Sequence, residues 1–140
     1  YAKSRGIKLG MELNVVQKFN LDKGENKLLL FADYDETRMF LKKFNKNQIG
    51  LLLDLGHTSV TSHWLKFDKN KFIKKIKKSV VVVHASNNNG LKDQHKQLTK
   101  NCWQTSKLKK FKNKPITLET MNLNTEQIKK NIQMAKDAIK

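Results

Sequence analysis

A chain of 140 residues is long enough for one domain with a hydrophobic core and too short for two. Its net charge of +17, from 29 Lys and Arg against 12 Asp and Glu, raises nucleic acid or an anionic membrane as a partner; yet only Arg5 and Arg38 are arginines, phosphate recognition favours the guanidinium fork, and the charge reads as a mainly solvated lysine surface. Cys102 is the single cysteine, which excludes an internal disulfide and a cysteine-rich zinc site and fits a reducing cytoplasm, and no apolar run approaches the ~20 residues of a membrane span.

Ile7, Leu9, Met11 and Leu13 alternate with Lys8, Gly10 and Glu12, the period of a strand with one covered face, and this strand ends at Glu12. Residues 1–6 read as the tail of a helix running into it, so the chain is expected to begin inside a larger fold. Residues 14–30 have no regular period and read as a loop excursion outside the core, turning at Asp22, Lys23 and Gly24. Asp33 followed by Glu36 has the spacing of a capping box, and Phe40, Leu41 and Phe44 share one side of the helix it opens. Residues 50–56 are apolar except for Asp54, and residues 79–84 carry four consecutive valines; both have the character of strands buried on two faces, as in a parallel sheet. Between them Asp68 caps a helix with Phe72, Ile73 and Ile76 at helical spacing, while His63 reads as an ordinary helix residue. A short helix is expected over residues 106–111, Pro115 introduces a strand over residues 116–119, and Asn124 with Gln127 opens a last helix carrying Ile128, Ile132, Ala135 and Ile139.

Four successive βα units imply an α/β fold with a parallel sheet covered by helices, and periodicity alone allows either an open doubly wound sheet or part of a (β/α) barrel. The strand ends discriminate. Glu12, Asp54, His84 and Glu119 each close one strand, and in a barrel the C-terminal strand ends converge above the lumen, where catalytic groups gather. Glu12 shares a face with Gly10 and Glu119 with Thr117, so these carboxylates are expected to look into the barrel while the apolar rows lie outside, beneath helices. Three carboxylates and one imidazole form a hard oxygen and nitrogen donor set, suited to manganese, magnesium or cobalt and compatible with zinc. His57, three residues after Asp54, and Asp93 with His95, beyond the turn of Asn87, Asn88, Asn89 and Gly90, are loop residues placed to support the ligands or touch substrate.

The segments Leu51-Leu52-Leu53-Asp54-Leu55-Gly56-His57, His84-Ala85-Ser86-Asn87-Asn88-Asn89-Gly90 with Asp93 and His95, and Ile116-Thr117-Leu118-Glu119 resemble the xylose-isomerase-like TIM-barrel superfamily. That superfamily holds sugar (phosphate) isomerases and epimerases together with endonuclease-IV-type abasic-site nucleases. The resemblance spans most of residues 7–119, and it implies that residues 1–140 are the C-terminal half of one barrel domain, a partial TIM barrel of about four βα units whose N-terminal half lies elsewhere. It also implies a divalent ion on Glu12, Asp54, His84 and Glu119, with His57 touching substrate. In the epimerase branch the two glutamates exchange protons with the sugar or sugar phosphate through an enediolate. Two places depart from the pattern: Asn87 stands where aspartate is common, and residues 96–101 lack the glycine-rich continuation usual after Asp-x-His.

Two other functions fit parts of the sequence. A zinc-dependent abasic-site nuclease uses the positions matched by His57, Asp93 and His95, and +17 suits a DNA partner, but two further histidines would have to come from the N-terminal half. A non-catalytic basic domain would hold nucleic acid through lysines and the exposed part of Trp64 or Trp103, without the clustered arginines or stacking aromatics such domains carry. A half-barrel also has two open sheet edges, and it is expected either to pair with itself as a homo-oligomer or to depend on its other half.

Overall fold

A computed structural model describes residues 1–44 and 49–140 of the chain. A single 3-10 turn, Lys3–Arg5, leads into strand β1 (Leu9–Glu12), and an excursion follows with a small antiparallel hairpin, β2 (Leu21–Asp22) and β3 (Glu25–Asn26). Then come helix α1 (Tyr34–Lys43), strand β4 (Ile49–Asp54), helices α2 (Leu55–Trp64) and α3 (Lys69–Ile76), strand β5 (Val80–Ala85), helix α4 (Trp103–Leu108), strand β6 (Ile116–Leu118) and helix α5 (Thr125–Ile139). The four longer strands form one sheet in the order β1-β4-β5-β6, and every neighbouring pair is parallel. No helix among the described residues is long and apolar enough to cross a membrane.

The register sorts the side chains onto two faces. Glu12 lies beside Leu52, Leu52 beside Val82, Asp54 beside His84 and His84 beside Thr117, so the polar strand ends share one face with the small residues Gly10 and Gly50. Gly50 is needed there, because a Cβ would collide with the Val81 side chain and come within 2.8 Å of the Ser79 carbonyl. On the other face Leu51, Leu53, Val80, Val83 and Ala85 are fully buried against Phe72, Ile73, Ile76, Leu108 and Phe111. Fully burying a side chain of the Leu or Ile type contributes about 1.5–3 kcal/mol, so the two central strands and α3 carry most of the core.

Helix boundaries follow the capping residues. The Asp33 carboxylate accepts from the Glu36 N–H at 2.9 Å, and the Glu36 carboxylate accepts from the Ala32 N–H, one residue before the reciprocal partner of an ordinary capping box. Asp68 accepts from Asn70 and Lys71, and Asn124 and Gln127 cap each other at 2.9 Å in both directions. The turn at Lys23 and Gly24 has both residues at positive φ, the pairing a two-residue hairpin requires.

Several boundaries and faces differ from the sequence expectation. The excursion contributes to the core after all: Val16 is fully buried, and its N–H donates to the Thr61 hydroxyl at 2.9 Å. The run over residues 50–56 stops being strand at Asp54, because that carboxylate accepts from the His57 N–H at 2.7 Å and turns Leu55 and Gly56 into the first residues of α2. Two helices therefore separate β4 from β5, where one was expected, and His57 lies on a helix and not in a loop. The apolar row of β1 is uncovered, with Ile7, Leu9 and Met11 at 50, 48 and 46% exposure, because β1 is an edge strand with a partner on one side only. Ile128 and Ile132, expected on the buried side of α5, are 47% and 41% exposed and line a groove of about 490 Å³ between α5 and the other edge strand, β6.

Candidate metal centre

The four strand ends meet. Glu12, Asp54, His84 and Glu119 each offer one ligand atom, and these atoms all lie within 4.8 Å of one another. His84 sits between the two glutamates, its Nδ1 at 3.1 Å from Glu119 Oε2 and 3.7 Å from Glu12 Oε1. Asp54 is fully buried and forms the floor, while the Glu12 and Glu119 side chains, 41% and 39% exposed, form the mouth.

Asp54 has two tasks. Its Oδ1 caps α2, whereas Oδ2 is buried with no hydrogen-bond partner, a costly arrangement that a cation at the centre of the four residues would relieve. Burial pushes the Asp54 carboxyl above its ordinary value, the charge of His57 and its N–H oppose this, and the nearby Glu119 carboxylate adds to the upward push. The donor set therefore fits a hard divalent ion: the orphaned oxygen, two accessible carboxylates and one imidazole are aimed at one point.

A second group adjoins the first. His57, Asp93 and His95 also bring one ligand atom each within 4.8 Å of one another. His57 Nδ1 lies 3.0 Å from the Leu13 carbonyl and His95 Nδ1 lies 3.0 Å from the Glu119 carbonyl. A carbonyl only accepts, so both Nδ1 atoms carry hydrogen. Both Nε2 atoms then face Asp93 Oδ2, at 3.4 and 2.9 Å, which demands a proton or a cation between them. Burial alone would lower the His57 value, but the Asp93 hydrogen bond, the Asp54 charge and the Leu13 carbonyl outweigh it and raise it to about 9. For Asp93 burial acts upward, and His57 and His95 outweigh it and hold the carboxylate below its ordinary range. The His95 backbone is in the left-handed region, at φ 46°, which few non-glycine residues adopt, and there its ring reaches both Asp93 and the Glu119 carbonyl.

Residues to which the sequence assigned no role in the site hold these groups in place. The Gln17 Oε1 accepts from the Asp93 N–H at 3.1 Å, tying the excursion after β1 to the loop after β5. Gly56 leaves room for the site, because a Cβ there would lie 2.8 Å from Ser86 Oγ and 3.0 Å from Asp54 Oδ1. The Asn88 amide donates to the Gly56 carbonyl at 2.9 Å, and the Asn87 and Lys96 backbones pair in both directions, closing the loop that carries Asp93 and His95. The proximity of Gly56 to Asp54 and His57 and the turn of Asn87 to Gly90 before Asp93 were the hints of these roles in the sequence. Gln17, 76 residues from its partner, gave none.

Trp64 and Trp103 are both tied to neighbouring segments of the fold. Their indole N–H groups donate to the Leu91 carbonyl and Asn70, and Lys69 and Lys107 lie over the Trp103 ring at 4.4 and 5.5 Å. His63 sits exposed near the end of α2, away from both groups, as an ordinary helix residue.

No family model matches the sequence, and no curated protein matches it. Among solved structures, the crystal structure of a D-tagatose 3-epimerase-like protein matches 99% of this chain with a TM-score of 0.73 at 21% identity. The chain spans 49% of that structure's length. At this identity the likeness establishes the fold: the four parallel strands and their helices correspond to half of a TIM barrel, and the open doubly wound alternative is set aside.

Proposed function

We propose that this chain supplies the metal-binding, proton-transferring half of a sugar or sugar phosphate isomerase or epimerase, the remaining strands of the barrel completing the site. The observation that carries the reading is the convergence of Glu12, Asp54, His84 and Glu119 around the unpartnered Asp54 oxygen. The matched structure's description as D-tagatose 3-epimerase-like points to the same chemistry. When bound, a divalent cation draws electron density from the substrate carbonyl and lowers the cost of removing the neighbouring carbon-bound proton.

The residues of the chain divide the remaining work. Asp54 and His84, low in the site, serve as ligands. Glu12 and Glu119 stand at the mouth, accessible enough to reach a sugar, and there one carboxylate takes the proton while the other returns it. Their separation on either side of His84 suits attack from two faces of one carbon. His57, held by Asp93 and the Leu13 carbonyl, has its Nδ1 3.7 Å from Glu12 Oε1 and serves substrate or ligand orientation from there.

A second reading is favoured by the His57, Asp93 and His95 group, which offers another cation position and would suit a zinc-dependent abasic-site nuclease. The placement of charge weighs against it. Glu12, Asp54, Asp93 and Glu119 stand in the two groups themselves, so the centre presents carboxylates, not positive charge, to an incoming polyanion.

The deciding experiment compares manganese-dependent interconversion of a ketose panel with cleavage of abasic DNA, using the chain together with the rest of its barrel. Interconversion is expected, and Glu119→Gln should reduce it at least a hundredfold while leaving the circular dichroism spectrum unchanged. Retained turnover in Glu119→Gln would remove that residue from proton transfer, and abasic-site cleavage without interconversion would replace the reading.

A further inference from the structure

Many of the lysines lie at the edge of the sheet opposite the candidate site. In this fold the helices run back antiparallel to the strands, so helix C-termini and strand starts share one edge of the sheet. Lys74, Lys77 and Lys78 end α3 and precede β5, and Lys109, Lys110, Lys112 and Lys114 follow α4 and precede β6. Asp137 lies in the last turns of α5, and Glu25, Asp33, Asp35 and Asp68 share a neighbouring pocket with Lys71 and Lys75, but no acidic residue lines the groove between α3 and the turn after α4. Among the described residues the lysines in ion pairs are Lys27, Lys130 and Lys140, none of them in this group.

These lysines shape a groove. Asn70, Lys71, Ile73, Lys74, Lys77 and Lys110 line a cavity of about 460 Å³ between α3 and the 3-10 turn after α4. Lys71, Lys74 and Lys77 repeat every three residues along one wall, steps of about 4.5 Å along the helix axis, and Lys110 faces them from the other. All four are exposed. The lysines also press on one another: Lys107 is held below its ordinary value by burial first and then by the charge of Lys110.

We infer that this lysine-walled groove binds the phosphodiester backbone of a nucleic acid strand, at a site separate from the metal centre. A concave track with positive side chains at a regular step suits a thin polyanion with evenly spaced charges. A membrane surface fits poorly, because no exposed large apolar side chain lies on α3 or the turn after α4 to anchor in lipid. With no aromatic ring in the groove, binding is sequence-independent, and thymidine and adenine homopolymers bind alike.

The test is fluorescence anisotropy of a labelled 20-nucleotide thymidine oligomer titrated with the full chain across a range of salt. The quadruple variant Lys71→Gln, Lys74→Gln, Lys77→Gln, Lys110→Gln is expected to weaken binding at least tenfold at 150 mM salt and to flatten the logarithmic salt slope by about 3, near 0.7 for each phosphate that is no longer neutralised. A control that removes the same charge elsewhere, Lys18→Gln, Lys23→Gln, Lys27→Gln, Lys129→Gln, should change affinity less than threefold. Equal losses in the two variants would mean diffuse charge alone and would overturn the proposal. No binding at 150 mM salt would overturn it too, as would tighter binding of polyglutamate or of phosphatidylserine vesicles than of the oligomer. Both variants leave the metal centre untouched, so the outcome is independent of the proposed reaction.

Discussion

Asp54 and His57 show how one local interaction serves structure and chemistry together. The Asp54 carboxylate starts α2 with one oxygen and leaves the other buried and unpartnered, so without a cation the ionised group is a burden on the fold. Asp54→Asn keeps the capping oxygen and removes the buried charge. At pH 8 the metal-free variant should melt at the same or a higher temperature than the parent, while manganese affinity by calorimetry falls at least a hundredfold; a melting temperature lowered by more than 5 °C would make Asp54 structural instead. His57 gives a pH signature. Its value rises to about 9 in the fold from an ordinary 6.5, so its stabilisation is complete below about pH 6.5 and is lost as pH climbs through about 9. The metal-free protein should lose stability over that window, and Asp93→Asn should shrink the loss and return the His57 ring proton shifts, followed by NMR, toward neutral pH. Asp93 has the opposite sign: its depressed value stabilises above the ordinary carboxylate range and fails in acid. An Asp93→Asn titration unchanged from the parent would remove Asp93 as the cause.

At the scale of elements, position in the sheet outweighs composition. Leu9 on β1 and Leu53 on β4 are leucines in neighbouring strands of one sheet, yet Leu9 is 48% exposed and Leu53 fully buried. Leu53→Ala should cost about 2–5 kcal/mol in urea unfolding, from reduced burial and the cavity left behind, and Leu9→Ala should cost less than about 1 kcal/mol. Comparable costs would mean that β1 is covered in solution. The helix starts were legible because Asp33, Asp68 and Asn124 announce themselves by residue type and spacing. α2 was not, since its residues continue the apolar run of β4 and only the Asp54 hydrogen bond marks the change.

The whole molecule is a parallel sheet with two open edges and a polar cluster at one end. Its 49% coverage of the matched structure, the uncovered row of Ile7, Leu9 and Met11, and the groove beside Ile128 and Ile132 describe one geometry, in which each edge strand has a partner on one side only. Expressed by itself, the 140-residue chain should self-associate in sedimentation velocity through these apolar edges. Ile128→Glu with Ile132→Glu should reduce that association without changing helix content, and an unchanged sedimentation profile would place the interface elsewhere.

The sequence by itself determined the alternation of strands and helices, the capping residues and the identity of the four strand-end groups, because period, cap chemistry and residue type are local properties. It did not determine that Val16 is buried, that the β1 row is bare, that His57 lies in the first turn of a helix, or that Gln17 holds Asp93 across 76 residues. Those depend on what lies opposite each residue in space. Burial and charge coupling are set by neighbours distant in the chain, and only the packed sheet, with its register and its two edges, supplies them.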